Sequence, residues 1–199
     1  MRRKLIIICF VLLLTGCFQK VETIDKASGN SRTYLFFKNF DVVHYYVSFW
    51  DRNTSINDDT KIVMARDDDK LYYEFDGYER NIIIQKDGVR YSISPNQLTY
   101  FKEDSDMEDF SIGILPSDIK KLKTKGYKTG VEKVFNSRYT FERYNFEDGE
   151  TTYYFKGEKL VYVKYKSIQK EVLLKFDNMK SDFDSGIFEI DDKFEEITY

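Results

Sequence analysis

The chain has 199 residues, 33% charged and 17% aromatic, with 31 Lys and Arg against 34 Asp and Glu for a formal charge of −3. A mildly acidic chain without a basic stripe lacks the field that nucleic-acid binding needs. One histidine and two cysteines leave no His/Cys cluster for a metal.

The N-terminus divides into a positive segment, Arg2-Arg3-Lys4, and an apolar run of ten residues, Leu5 to Leu14, followed by Thr15-Gly16-Cys17. Ten residues rise only about 15 Å as a helix, half the thickness of bilayer hydrocarbon, so a signal peptide is expected and a permanent span is not. Leu14-Thr15-Gly16-Cys17 places one apolar and two small residues directly before a cysteine. This resembles the lipobox of bacterial lipoproteins. The resemblance implies that the Cys17 thiol receives a diacylglyceryl group and that the chain is cut just before it. The alternative is an ordinary cleaved signal with a chance cysteine. Cys9 lies in the apolar run and would leave with it, so the mature chain has no pair for an internal disulfide. Loss of Arg2, Arg3 and Lys4 takes the formal charge from −3 to −6.

Residues 1–16 are thus expected to be a lipoprotein signal peptide, 17–32 a lipidated polar tether, and 33–199 the folded domain. The expected location is extracytoplasmic, held to the cell membrane by lipid.

From Thr33 onward the dominant period is two. Asp41–Trp50 alternates Val43, Tyr45, Val47 and Phe49 with Val42, His44, Tyr46 and Ser48, a strand apolar on both sides. Lys61–Ala65, Leu71–Phe75, Ile82–Gln85, Val89–Ile93 and Gln97–Phe101 continue the series. Asp67-Asp68-Asp69, Asp76-Gly77 and Asp87-Gly88 stand between them and tolerate the positive φ of tight hairpins. Thr33–Phe40 suits a strand or, through Phe36, Phe37 and Phe40, a helical face.

The middle breaks this rhythm. An acidic surface loop, "KEDSDMEDFSIGI", precedes Pro116, a candidate N-cap at Ser117, apolar Ile119 and Leu122, and Gly126 as a candidate C′ residue, together predicting a two-turn helix. Strands resume at Arg138–Phe146, Thr151–Phe155, Leu160–Lys166 and Glu171–Phe176, and Ile187–Ile190 is a last short apolar stretch. The fold class is therefore mainly β (α+β): about ten strands in an antiparallel meander, with one or two short helices.

In the second half, Tyr153, Tyr154, Phe155, Gly157, Lys159 and Leu160, followed by Asp184, Phe188, Ile190 and Phe194, resemble the closing portion of the LolA/LppX-like domains. Asp191-Asp192-Lys193 departs from that family, which usually has Pro-Gly after the Phe-containing element. The resemblance covers about the last sixty residues. It implies one strongly curved sheet, an open half-barrel whose apolar concave face is covered by short helices and carries lipid, acyl chains or an envelope partner.

No G-x-S-x-G, H-E-x-x-H or Gly-rich phosphate loop occurs, so no cofactor is expected and no catalytic residue is assigned. His44, inside an apolar strand, reads as a hydrogen-bonded core or rim residue. Asp67-Asp68-Asp69 and Asp182-Phe183-Asp184-Ser185-Gly186 read as solvated turns, because the second misplaces the glycine of a calcium loop and has Lys193 where that loop needs Glu. The mixture of Lys and Tyr in "EKLVYVKYKSIQKEV" reads as the solvated face of a half-buried strand, not as a nucleic-acid surface.

Three functions remain open at this point. The first is a non-enzymatic membrane-anchored lipoprotein binding an apolar ligand or an envelope component. The second is a surface interaction module with a filled core. The third is a hydrolase using paired carboxylates, which only separation in space identifies. Cys17 is the one assigned site, by lipidation. The partners expected are the membrane through the lipid anchor, an apolar ligand and envelope proteins, with no nucleic acid.

Overall fold

The computed structural model describes residues 23–25, 29–53, 58–105 and 113–198. Cys17 and the signal segment lie outside them, as does most of the expected tether. Among the described residues no helix is long and apolar enough to cross a membrane, which says nothing of strands.

Thirteen strands form one sheet among the described residues. They are β1 (Thr23–Asp25), β2 (His44–Asn53), β3 (Asp58–Asp67), β4 (Lys70–Asp76), β5 (Arg80–Lys86), β6 (Val89–Ser94) and β7 (Thr99–Asp104). After the break come β8 (Tyr127–Val134), β9 (Ser137–Asn145), β10 (Glu150–Lys156), β11 (Lys159–Lys166), β12 (Glu171–Lys180) and β13 (Glu195–Glu196). The order across the sheet is β1-β8-β9-β10-β11-β12-β2-β3-β4-β5-β6-β7-β13, open at both edges. Two meanders are therefore joined by the pairing of β12 with β2, where Phe176 lies opposite Phe49 and their rings meet edge-on at 5.8 Å.

The count of about ten falls short by three strands. β1 and β13 have three and two residues, too short to leave a period, and their pairing is set by the edges they meet. β8 was hidden by its composition, since Tyr-Lys-Thr-Gly-Val-Glu-Lys-Val mixes lysines and a glycine into the alternation. β13 also runs parallel to β7, so the sheet is mixed and not purely antiparallel. Residues 23–25, expected in the tether, pair with β8 instead.

Thr33–Phe40 resolves as a helix, α1 (Arg32–Phe37), with Ser31 as N-cap. The middle helix, α2 (Ile119–Thr124), is capped by Asp118, not by Ser117, its carboxylate accepting from the N–H groups of Lys120 and Lys121. Gly126 does not close α2: the helix ends through Lys125, whose extended backbone still donates to the Lys121 carbonyl. Among the hairpins, Asp87 and Gly88 adopt φ of 54° and 74°, and Asp68 adopts 53°, as the turn residues require.

The period of two gives the sheet two buried faces. On one, Tyr45, Val47, Phe49, Met64, Leu71, Tyr73, Tyr153, Phe155 and Val163 form the main core beneath α1 and α2. Phe37 enters it fully buried, with ring neighbours Phe36, Phe40 and Tyr153 at 4.9, 5.7 and 5.6 Å. These edge-on rings fill the layer between helix and sheet. On the opposite face of β2 to β7, Val63, Ala65, Tyr72, Ile82, Ile84 and Ile93 are covered by the C-terminal segment through Phe183, Ile187, Phe188, Ile190 and Phe194. Ile187 and Phe188, from the last apolar stretch, sit on a 3₁₀ turn, Ser185–Phe188. A third cluster of Val134, Phe141, Tyr154 and Tyr162 lies among β8, β9, β10 and β11.

Candidate functional site

Two clefts flank α2. The first, about 410 Å³, lies between the α2 cap and the β9–β10 turn and is lined by Leu115, Pro116, Asp118, Lys121, Lys125 and Phe146, among others. The second, about 550 Å³, lies between the start of α2 and the chain linking α1 to β2, with Phe40, Asp41, Val42, Ile119 and Lys120 among its walls. Asp118 borders both.

The first cleft has a built floor. The Thr151 hydroxyl donates to the Gly113 carbonyl at 2.7 Å, and the Tyr165 hydroxyl donates to the Asp148 carbonyl at 2.8 Å. Gly113, at φ +64°, lies against the Tyr165 ring so closely that any Cβ would collide with it. The segment carrying Leu115 and Pro116 is thereby held on the sheet. Above it the Lys125 ammonium stands 5.1 Å from the centre of the Phe146 ring, a cation–π distance. The Asp118 carboxylate is engaged as the α2 cap, which leaves Lys121 and Lys125 as the cations and Glu147 and Asp148 as the acids of the rim. An apolar wall with a mixed charged rim suits a ligand that has an apolar body and a polar end.

The helix above this region is fixed from the sheet. Glu142, on β9 and 6% exposed, accepts from the N–H of Arg32 at 2.8 Å. It also accepts from the N–H and hydroxyl of Thr33 at 2.9 and 2.7 Å, and from the Tyr144 hydroxyl at 3.3 Å. The Tyr34 N–H donates to the Ser31 hydroxyl at 3.0 Å, and the first helical bond runs from the Leu35 N–H to the Ser31 carbonyl. The early amide donors of α1 that a helix leaves open are thus satisfied, two of them by a carboxylate about 110 residues away. Nothing in the sequence around Glu142 announces this role.

His44 is the rim residue expected from its strand. Nδ1 lies 2.9 Å from Asp67 Oδ1, and Nε2 lies 2.9 Å from the Ser181 carbonyl oxygen. Both partners only accept, so only the doubly protonated ring satisfies both. Its ring also stacks on Phe183 at 4.9 Å, tying β2 to the start of the C-terminal segment. The hydrogen bond to Asp67 raises the His44 pKa above 6.5, and the Ser181 carbonyl and the charges of Asp67 and Asp41 add to it against desolvation. A raised folded-state pKa contributes stability that is complete below the unfolded value and is lost as pH rises through the folded value. The gap in unfolding midpoint between the wild type and His44→Gln is therefore full below 6.5, the ordinary histidine pKa, and narrows as pH rises above it. A gap that does not change with pH would overturn this assignment.

The remaining residues singled out in the sequence are structural in place. Tyr153 and Phe155 lie in the main core with Leu160, and Gly157 takes φ +65° in the β10–β11 turn. Burial pushes the Tyr153 phenol far above its ordinary pKa. Asp184 caps the 3₁₀ turn through the Gly186 N–H at 2.9 Å, and Phe188 is fully buried. Asp68 is a hairpin turn residue. None of these lines the clefts beside α2. The start of α2 was legible from Pro116 and Ser117, one residue short of the actual cap at Asp118, whereas the approach of Phe146 and Asp148 to it is a product of the fold.

No protein-family model matches the chain, and no curated protein is similar to it in sequence. Among solved structures it is similar to the crystal structure of an uncharacterized conserved protein from Thermus thermophilus. That match has a TM-score of 0.44 and 9% identity, and it covers 82% of this chain and 96% of the other.

Proposed function

We propose that the chain is a non-enzymatic bacterial lipoprotein, anchored outside the cytoplasm through lipid on Cys17, whose sheet is a LolA-like open half-barrel. In this reading the domain takes a ligand with an apolar body and a polar end in the cleft beside α2. The observation that carries it is the lining of that cleft, with Leu115, Pro116 and Phe146 below and Lys121 and Lys125 at the rim. Tethering at the bilayer keeps such a domain beside a pool of amphiphiles.

A second reading, an interaction module for envelope proteins, is favoured by a different observation. Phe37, Phe49, Tyr144, Tyr153 and Phe155 are all at most 1% exposed and fill the layer under the helices. An acyl chain therefore has no room in the main core without displacing α1, and the clefts flanking α2 lie open beside it.

Native mass spectrometry with lipid extraction of the protein purified from its membrane separates the two. The ligand reading expects a co-purifying amphiphile whose occupancy falls at least tenfold in Phe146→Asp, where a buried carboxylate opposes the apolar body. Protein that carries no amphiphile in repeated preparations, and gains no stability from added fatty acid or phospholipid, would overturn it in favour of the interaction module.

A further inference from the structure

The direction of β1 and the composition of one turn single out an end of the domain. β1 runs antiparallel to β8, with Thr23 opposite Thr129 and Asp25 opposite Tyr127. The chain therefore enters β1 from the end of the sheet where β8 finishes at Val134. Six residue steps separate Cys17 from Thr23, a reach of at most about 20 Å. The path along β8 from Thr129 to Phe135 is of similar length, about 20 Å. A lipid on Cys17 therefore lies within about 20 Å of Thr23, and the direction of β1 leads back toward this corner.

The corner has the chemistry of a membrane surface site. Phe135 is 45% exposed, with its ring 5.8 Å from Tyr162, which in turn meets Tyr139 edge-on at 5.4 Å. Phe135 also holds φ +51° at the first position of the β8–β9 turn. A turn shaped for stability alone places Gly, Asn or Asp there, and Asn136 stands one residue too late. Lys133 and Arg138 flank this turn, and Lys156 and Lys159 flank the neighbouring β10–β11 turn, all exposed, with Glu158 between the last two. Elsewhere on the same end of the sheet the β3–β4 and β5–β6 turns carry Asp68, Asp69 and Asp87, flanked by Lys70 and by Lys86, which pairs with Glu189. In a domain of formal charge −6 without its n-region, these four cations, Lys133, Arg138, Lys156 and Lys159, stand at the end of the sheet from which the chain enters β1.

We propose that this corner rests on an anionic bilayer surface, with Phe135 in the headgroup region and Lys133, Arg138, Lys156 and Lys159 against lipid phosphates. The proposal rests on the lipid-anchor reading of Cys17 and adds to it the face of the domain that meets the membrane.

The test uses the mature lipidated chain on vesicles of phosphatidylcholine with phosphatidylglycerol. An environment-sensitive fluorophore is attached through Asn136→Cys or, at the opposite end of the sheet, through Tyr78→Cys, where the native residue is 90% exposed. A blue shift and quenching by brominated lipid at position 136, with neither at position 78, is the expected result. Joint replacement of Lys133→Gln, Lys156→Gln and Lys159→Gln should weaken surface contact on the order of a hundredfold and remove the shift, while the protein stays anchored. A water-like signal at position 136 on vesicle-bound protein would overturn the docking face and leave the anchor standing. If Cys17 itself takes up the thiol-reactive label and the protein stays off membranes, the anchor and the docking face both fall.

Discussion

Glu142→Ala should destabilise the protein by about 3–4 kcal/mol, a shift read directly as a lower urea midpoint with an unchanged slope. The mutation leaves the Thr33 amide and hydroxyl without their acceptor in a fully buried residue, and it frees the Arg32 amide as well. Hydrogen bonds to a charged acceptor contribute about 1.5–3 kcal/mol each, and a stranded buried donor adds its desolvation cost. The loss spreads further, because α1 carries Phe37 into the main core and Phe36 onto Phe176 at 5.4 Å. Glu142→Gln keeps the shape and one acceptor but turns an NH₂ group toward donors, so about half of the loss is expected. A loss below about 1 kcal/mol in Glu142→Ala would show that the packing of α1, and not this carboxylate, fixes the helix on the sheet.

The strands were legible because a half-buried sheet writes its period into the chain. Tyr45, Val47 and Phe49 fall on one face and Tyr46 on the other, as alternation demands, and Asp87-Gly88 marks its turn by the backbone it must adopt. What bound the elements to each other was not legible. The pairing of β12 with β2, the reach of Glu142 to Thr33 and the seating of Phe183 against His44 each join residues more than 100 positions apart. Local pattern holds no record of such contacts, which arise when the second meander returns to the first. The helix N-caps show the intermediate case. Ser31, Ser117 and Asp118 all have the right chemistry, and only the backbone at Asp118, extended at φ −147°, decides which residue caps α2. The cleft stands on the same divide: Pro116 at the start of α2 could be read, while the capping by Asp118 and the arrival of Phe146 could not.

Cys17→Ala should abolish lipid labelling and move the protein out of the carbonate-resistant membrane fraction. The argument is one of area and length. Two acyl chains bury enough methylene groups, at about 0.8 kcal/mol each, to make attachment effectively permanent, whereas a single chain holds only marginally. Without the thiol, neither the apolar N-terminal run nor the Phe135 corner supplies that area. The run from Leu5 to Leu14 spans only about half of the hydrocarbon thickness, and Phe135 is one ring on an otherwise charged corner. The variant should retain at most a weak adsorption to anionic membranes that high salt removes, because contacts made by Lys133, Lys156 and Lys159 are screened within a Debye length. The wild type should resist the same wash. Unchanged, salt-resistant membrane association of Cys17→Ala would overturn the lipid anchor, and would assign the attachment to the apolar N-terminal run instead.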